Sequence, residues 1–125
     1  MACPYFDPGE RLPGSSGSLG DLYAGQCRAG GEPDDQTVAG RCNLGYARGY
    51  CEHFPDNGGP DSVRFSVKRD DRAGIRILYS FERDHRPFAT GALEYSPAGF
   101  VGAPAEWPIE KLAGAYVRSY LRRTR

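Results

Sequence analysis

Four cysteines are the residues with the clearest capacity for chemistry in this chain of 125 residues. They lie in the first half, with 23, 14 and 8 residues between successive members, and the second half contains none. Thiolates bind zinc ions and iron–sulfur clusters, and in an oxidising compartment thiols pair as disulfides. Cysteines that only filled a hydrophobic core would be scattered along the chain. The pattern predicts one four-thiolate metal site formed by Cys3, Cys27, Cys42 and Cys51.

The spacing also bears on the kind of metal centre. Structural zinc sites usually contain a C-x2-4-C pair, because a tight turn presents two sulfurs to one tetrahedral ion. This chain has no such pair. A [4Fe-4S] cubane is wider and takes one thiolate at each corner, so four separated cysteines suit it. We therefore expect a [4Fe-4S] cluster, with zinc as the alternative; disulfides and free or partly ligated thiols are further alternatives.

The first and last cysteines share a flanking pattern. Cys3 and Cys51 are each followed by a phenylalanine three residues later, and a proline comes within two residues of that phenylalanine. Proline fixes φ, and aromatic rings keep water from a cluster that hydrolysis or oxygen would degrade. His53 is so near Cys51 in the chain that both would rarely reach one centre. The side chains expected around the ligands are Phe6, Tyr46, His53 and Phe54.

Signatures of catalysis are missing from the sequence. It contains no P-loop, dinucleotide fingerprint, G-x-S-x-G or H-E-x-x-H motif, and these carry the chemistry of several common enzyme classes. A nucleophile pair of Cys51 with His53 or His85 can be drawn, but it would remove Cys51 from the metal. An enzyme is therefore not the expected function. A metal-assisted enzyme, in which substrate or water replaces one thiolate, is a third hypothesis.

Composition favours no class of charged partner. The 16 basic and 16 acidic side chains give a net charge of zero, so no overall field attracts nucleic acid or anionic lipid. The arginines near the C-terminus either complement the dipole of their own helix or form a docking patch. These are Arg118, Arg122, Arg123 and Arg125. The expected partner is another protein in a larger complex, in which the cluster passes electrons or stabilises the fold, whereas a zinc site would stabilise an interaction module.

The expected compartment follows from signals that the sequence lacks. It has no run of about 18 apolar residues, so no membrane-spanning helix is expected. Residues 1–20 lack the basic and apolar regions of a secretion signal. These features predict a cytoplasmic protein, in which the redox poise disfavours disulfides. Arginine outnumbers lysine by fourteen to two, a skew that suggests GC-rich bacterial coding.

The N-terminal half of the chain is rich in glycine, proline and aspartate and poor in aliphatic side chains. Residues 9–20 have the composition of a flexible Gly/Ser loop. Residues 36–48 are predicted to form a helix, with an aspartate N-cap at position 34 or 35 and a glycine stop at Gly49. Cys42 would lie on the inward face of this helix. The helix and its exit would thus deliver two of the four thiols.

Alternating apolar and polar residues predict three β-strands, over 63–68, 75–82 and 88–95, joined as an antiparallel meander. A Gly/Pro-rich connector follows at 96–104. From Pro108 onwards apolar residues recur at helical spacing, so a C-terminal helix should bury one stripe against the sheet.

The predicted fold class is α+β, as a small single domain of residues 1–125. Its N-terminal part, residues 1–60, is a loop-rich, four-cysteine metal-binding region. Its second part, residues 61–125, is a three-stranded antiparallel β-meander packed against a C-terminal helix.

Overall fold

The structure, a computed structural model, describes residues 2–12, 21–55, 57–102 and 108–124. Most of the regular structure is β, in a two-stranded and a four-stranded antiparallel sheet. The strands are β1 (Phe6–Arg11), β2 (Tyr23–Cys27), β3 (Ser62–Asp71), β4 (Gly74–Arg83), β5 (Arg86–Ser96) and β6 (Gly99–Val101). The helical elements are α1 (Asp35–Thr37), a π-helical turn (Val38–Cys42) and α2 (Glu110–Thr124).

Alternation of side chains defines the inner face of the larger sheet. Val63 lies opposite Phe81, and Phe65 lies opposite Tyr79, in the β3–β4 register. Successive side chains of a strand point to opposite faces, so these apolar residues share one face while Arg64 and Ser66 lie on the other. The inner face is therefore the surface available to a helix.

Helix α2 covers that face and also reaches the smaller sheet. Its buried residues are Leu112, Ala113, Ala115, Val117 and Ser119. Leu112 belongs to the same buried core as Val63 and Phe81 of the larger sheet and Phe6 of β1. Tyr23 of β2 donates a hydrogen bond to the Ala115 carbonyl at 3.0 Å. One core therefore joins the two parts of the chain.

The predicted fold class was wrong. The larger sheet has four strands, because β6 lies in the predicted connector and pairs with the end of β5 through Glu94, Tyr95 and Ser96. The N-terminal part contains the β1–β2 sheet where loop was expected, and Gly9–Arg11 belong to β1. Pairing to a neighbouring strand overrides the weak local propensity of these Gly/Pro-rich segments. Positions 13–20 of the predicted loop lie outside the described residues.

The predicted helix over 36–48 was also wrong in length and type. Asp34 is its N-cap and accepts from the Thr37 N–H at 2.7 Å, but regular helix gives way to the π-helical turn and ends at Cys42. Asn43 explains the end, since its side chain donates to the Val38 carbonyl at 2.8 Å and also bonds the backbone of Tyr23. The chain is thus tied to β2, and after one more helical bond, from the Gly45 N–H to the Arg41 carbonyl at 2.7 Å, Gly45 turns left-handed with φ of 87°. Gly49 lies well beyond this stop.

In the part of the chain that the structure describes, no helix combines the length and apolar character needed to cross a bilayer.

Replacing Tyr23 by phenylalanine should lower the free energy of unfolding by about 1–2 kcal/mol. The hydroxyl of Tyr23 bonds both the Ala115 carbonyl and, at 2.5 Å, the Ser119 hydroxyl, so the variant leaves buried polar groups without this partner. Urea denaturation measures the change. Tyr50→Phe is the matched control, because this ring is 72% exposed, and it should be nearly neutral. Equal losses in both variants would contradict this role of Tyr23.

Candidate metal centre

The four cysteines come from four different segments. Cys3 lies just before β1, Cys27 ends β2, Cys42 ends the π-helical turn, and Cys51 follows the loop after that turn. Backbone hydrogen bonds set their neighbourhood, because the Cys3 N–H donates to the Cys42 carbonyl at 2.9 Å. Phe6 is the register partner of Cys27 in the β1–β2 sheet. The fold therefore brings together residues that are far apart in sequence.

All four cysteines line one small pocket, whose enclosed volume is about 20 Å³. Cys3 and Cys42 are buried, whereas Cys27 and Cys51 are partly exposed. The other lining residues are mostly apolar or aromatic: Tyr5, Phe6, Ala29, Pro33, Ala47, His53, Phe54 and Pro55. The cavity therefore has a buried end and a surface end, each with two thiols.

Tight turns explain why the phenylalanines follow the cysteines at a fixed distance. The Cys3 carbonyl accepts from the Phe6 N–H at 3.1 Å, and the Cys51 carbonyl accepts from the Phe54 N–H at 3.2 Å. Cys27 opens a similar turn, with the Gly30 N–H at 3.4 Å from its carbonyl. A turn of this length returns the third residue towards its start. Both Phe6 and Phe54 consequently line the same cavity as the cysteines.

Burial strongly affects the two inner thiols. It raises the pKa of Cys3 to about 12, and the nearness of the other three cysteines adds to this rise, while a hydrogen bond from the Tyr5 backbone opposes it. Burial raises the pKa of Cys42 to about 11, with further contributions from Cys27 and Cys51. The inner thiols therefore stay protonated at neutral pH in the metal-free protein, and a nearby positive centre would be needed to ionise them.

The residues expected around the ligands have different positions. Phe6, His53 and Phe54 line the cavity. His53 packs against the backbone of Gly31, where an added Cβ would lie only 2.4 Å from the imidazole ring. Tyr46 is not among the lining residues and instead stacks on His85, with ring centroids 4.1 Å apart.

The described residues contain no group of three or more histidine, cysteine, aspartate or glutamate side chains arranged to hold a metal ion. The predicted fold class included a metal-binding N-terminal half, and no such group is formed there in the described structure. Metal ligation by Cys3, Cys27, Cys42 and Cys51 stays a prediction.

A polar network lies against the loop between Cys42 and Cys51, and sequence patterns did not indicate it. We call it the 43–50 network; its members are Tyr46 and Arg48 in the loop, Asp61 just before β3, Glu82 of β4, and Asp84 and His85 in the turn between β4 and β5. Asp61 is 1% exposed and pairs with the Arg48 Nε at 2.7 Å. A hydrogen bond from Arg64 lowers the pKa of Glu82, with a smaller contribution from Tyr46 and opposition from burial. The sequence carries one general signal of it, because Asp and His, the residues at positions 84 and 85, are among the types enriched in left-handed backbone.

No family model, no curated protein and no solved structure gives a significant match to this chain. The function must therefore be inferred from the geometry of its own residues.

In the metal-free protein, a thiol-reactive reagent at mildly alkaline pH should modify Cys27 and Cys51 before Cys3 and Cys42. The thiolate is the reactive species, and burial with a raised pKa reduces its population at the inner pair. We expect inner-pair labelling to be at least about tenfold slower. Peptide mass spectrometry of a time course measures each site. Uniform labelling under native conditions would be inconsistent with two buried thiols, and denatured protein provides the control for equal intrinsic reactivity.

Proposed function

We propose that this chain is a small iron–sulfur protein that binds one [4Fe-4S] cluster through Cys3, Cys27, Cys42 and Cys51. The observation that carries the proposal is that the four thiols, which are all the cysteines of the chain, line a single cavity. Cysteine thiolates are the usual protein ligands of such clusters, one for each iron. The number and type of donors therefore fit.

The lining of the site also suits a cluster. Phe6, Phe54 and Ala47 line the same pocket as the four cysteines. Apolar walls suit a cluster because they limit access of water and tune its reduction potential.

An iron–sulfur cluster would supply one-electron redox chemistry or cross-link the segments that carry its ligands. Two features of the chain support a redox role. The surface end of the cavity contains the partly exposed Cys27 and Cys51, and the exposed Tyr50 adjoins Cys51, with the Arg41 guanidinium 3.6 Å above its ring centre. Tyrosine and arginine are enriched at energetically important positions of protein interfaces. We propose a protein partner at this end and a cytoplasmic location, where thiols stay reduced.

Anaerobic reconstitution with iron and sulfide should give about four irons and four sulfides per chain, with broad visible absorption that dithionite bleaches. Each single Cys→Ser variant should reduce cluster content strongly, because each thiolate binds one iron. Ala29→Ser is the matched control, since it adds a hydroxyl to the cavity wall and removes no thiol. Elemental analysis, visible spectra and electron paramagnetic resonance provide the readouts.

Several results would overturn this proposal. Colourless anaerobic protein with stoichiometric zinc would establish the zinc-stabilised interaction module. Two disulfides in protein prepared under cytoplasmic redox conditions would exclude both metals. A single cysteine variant that keeps the metal but loses an activity would instead support a metal-assisted enzyme.

A further inference from the structure

The turn between β4 and β5 has an unusual choice of residues. Its two central residues, Asp84 and His85, have φ values of 52° and 63°, as a type I′ turn requires. Asn-Gly is the favoured pair for this turn, because glycine enters left-handed backbone without a Cβ clash. This chain instead has Asp and His at these positions.

Both side chains contact the loop that connects Cys42 to Cys51. The Asp84 carboxylate pairs with Arg48, and the His85 ring stacks on Tyr46 with an interplanar angle of 8°. Tyr46 is itself left-handed, with φ of 59°. Within the described ranges, these three are the only non-glycine residues with positive φ. Left-handed His85 of the turn is therefore in direct contact with left-handed Tyr46 of the loop.

Further bonds fix the loop to the sheet. The Tyr46 hydroxyl donates to Glu82 at 3.0 Å and accepts from the His85 N–H at 2.8 Å. The Tyr46 N–H donates to the Ser62 hydroxyl at 2.8 Å. Arg48 also pairs with the buried Asp61, which accepts from the Asp84 N–H at 2.9 Å. The loop is thus tied to the start of β3 and to the end of β4.

We propose that Tyr46, Arg48, Asp84 and His85 are positioning residues that hold the 43–50 loop, and with it Cys42 and Cys51, in the geometry that keeps the cluster bound. This inference rests on the proposed function. A hairpin turn would form more readily with Asn-Gly, so the contacts that Asp84 and His85 make with the loop offset the cost of their left-handed backbone. The β4–β5 turn thereby acts on the cluster through residues that do not touch it.

The double variant Asp84→Asn/His85→Gly tests the proposal. It installs the pair that a type I′ turn prefers, removes the ring stack on Tyr46 and replaces the Asp84–Arg48 ion pair by at most a neutral hydrogen bond. The metal-free variant should keep or raise its midpoint of thermal unfolding, whereas its reconstituted cluster should be lost to a chelator about tenfold faster than that of the wild type. Ala98→Gly, in the separate turn between β5 and β6, is the control and should leave the loss rate unchanged.

Wild-type rates of cluster loss in the double variant would overturn the proposal, and so would faster loss accompanied by an equal fall in the stability of the metal-free protein.

Tyr46→Phe provides a second test, since it keeps the ring stack and loses both hydroxyl bonds; it should give an intermediate loss rate. Amide hydrogen exchange of residues 43–50, compared between the metal-free double variant and the metal-free wild type, is independent of the cluster. Faster exchange in the variant supports the positioning role, and unchanged exchange overturns it. Failure of the wild type to bind a cluster would instead refute the proposed function.

Discussion

Backbone pairing at the start of the chain is the constraint on which the cysteine cavity depends. Ala2 exchanges two 2.9 Å hydrogen bonds with Val63 of β3, and the next residue, Cys3, donates to the Cys42 carbonyl. Two successive residues therefore join the larger sheet to the π-helical turn. Because β1 follows directly and pairs with β2, the same anchoring also places Cys27. These bonds, with those from the Asn43 side chain to the backbone of Tyr23, bring the segments of Cys3, Cys27 and Cys42 together.

Burial disfavours the ionised form of the two inner thiols in that cavity. Cys3 and Cys42 lie in apolar surroundings that raise the pKa of each thiol, and the nearness of the other cysteines raises it further. Such a set is stable as neutral thiols, or as thiolates around strongly positive iron or zinc. The fold holds the four thiols close together. The 43–50 network holds the loop between Cys42 and Cys51 through contacts that do not depend on the charge of the thiols.

Sequence patterns located some elements well and others poorly, for identifiable reasons. β3, β4 and α2 have strong alternation or a helical stripe, and they lie close to their predicted positions. β1 and β2 pair with each other across a long intervening segment, and β6 pairs with the end of β5. The glycines and prolines of these strands, taken without the pairing, indicated loop. The side chain of Asn43 ended the helix earlier than its composition suggested. The four cysteines were assigned to one metal site; they line one pocket, and their ligation of a metal stays a prediction. Tyr46 was expected beside the ligands, whereas its ring stacks on His85, which lies on a hairpin distant in the chain.

The shared core also limits how the protein can be divided. Phe6 and Val38 from the first part pack in the same buried core as Leu93 and Leu112 from the second. A zinc-finger peptide carries its complete ligand set and folds around its metal alone. Here the buried Cys3 and Cys42 belong to a core that includes side chains of the larger sheet and of α2, so an N-terminal fragment that ended before β3 would lack part of its interior. The unit that can be transplanted, evolved or engineered is consequently the whole chain.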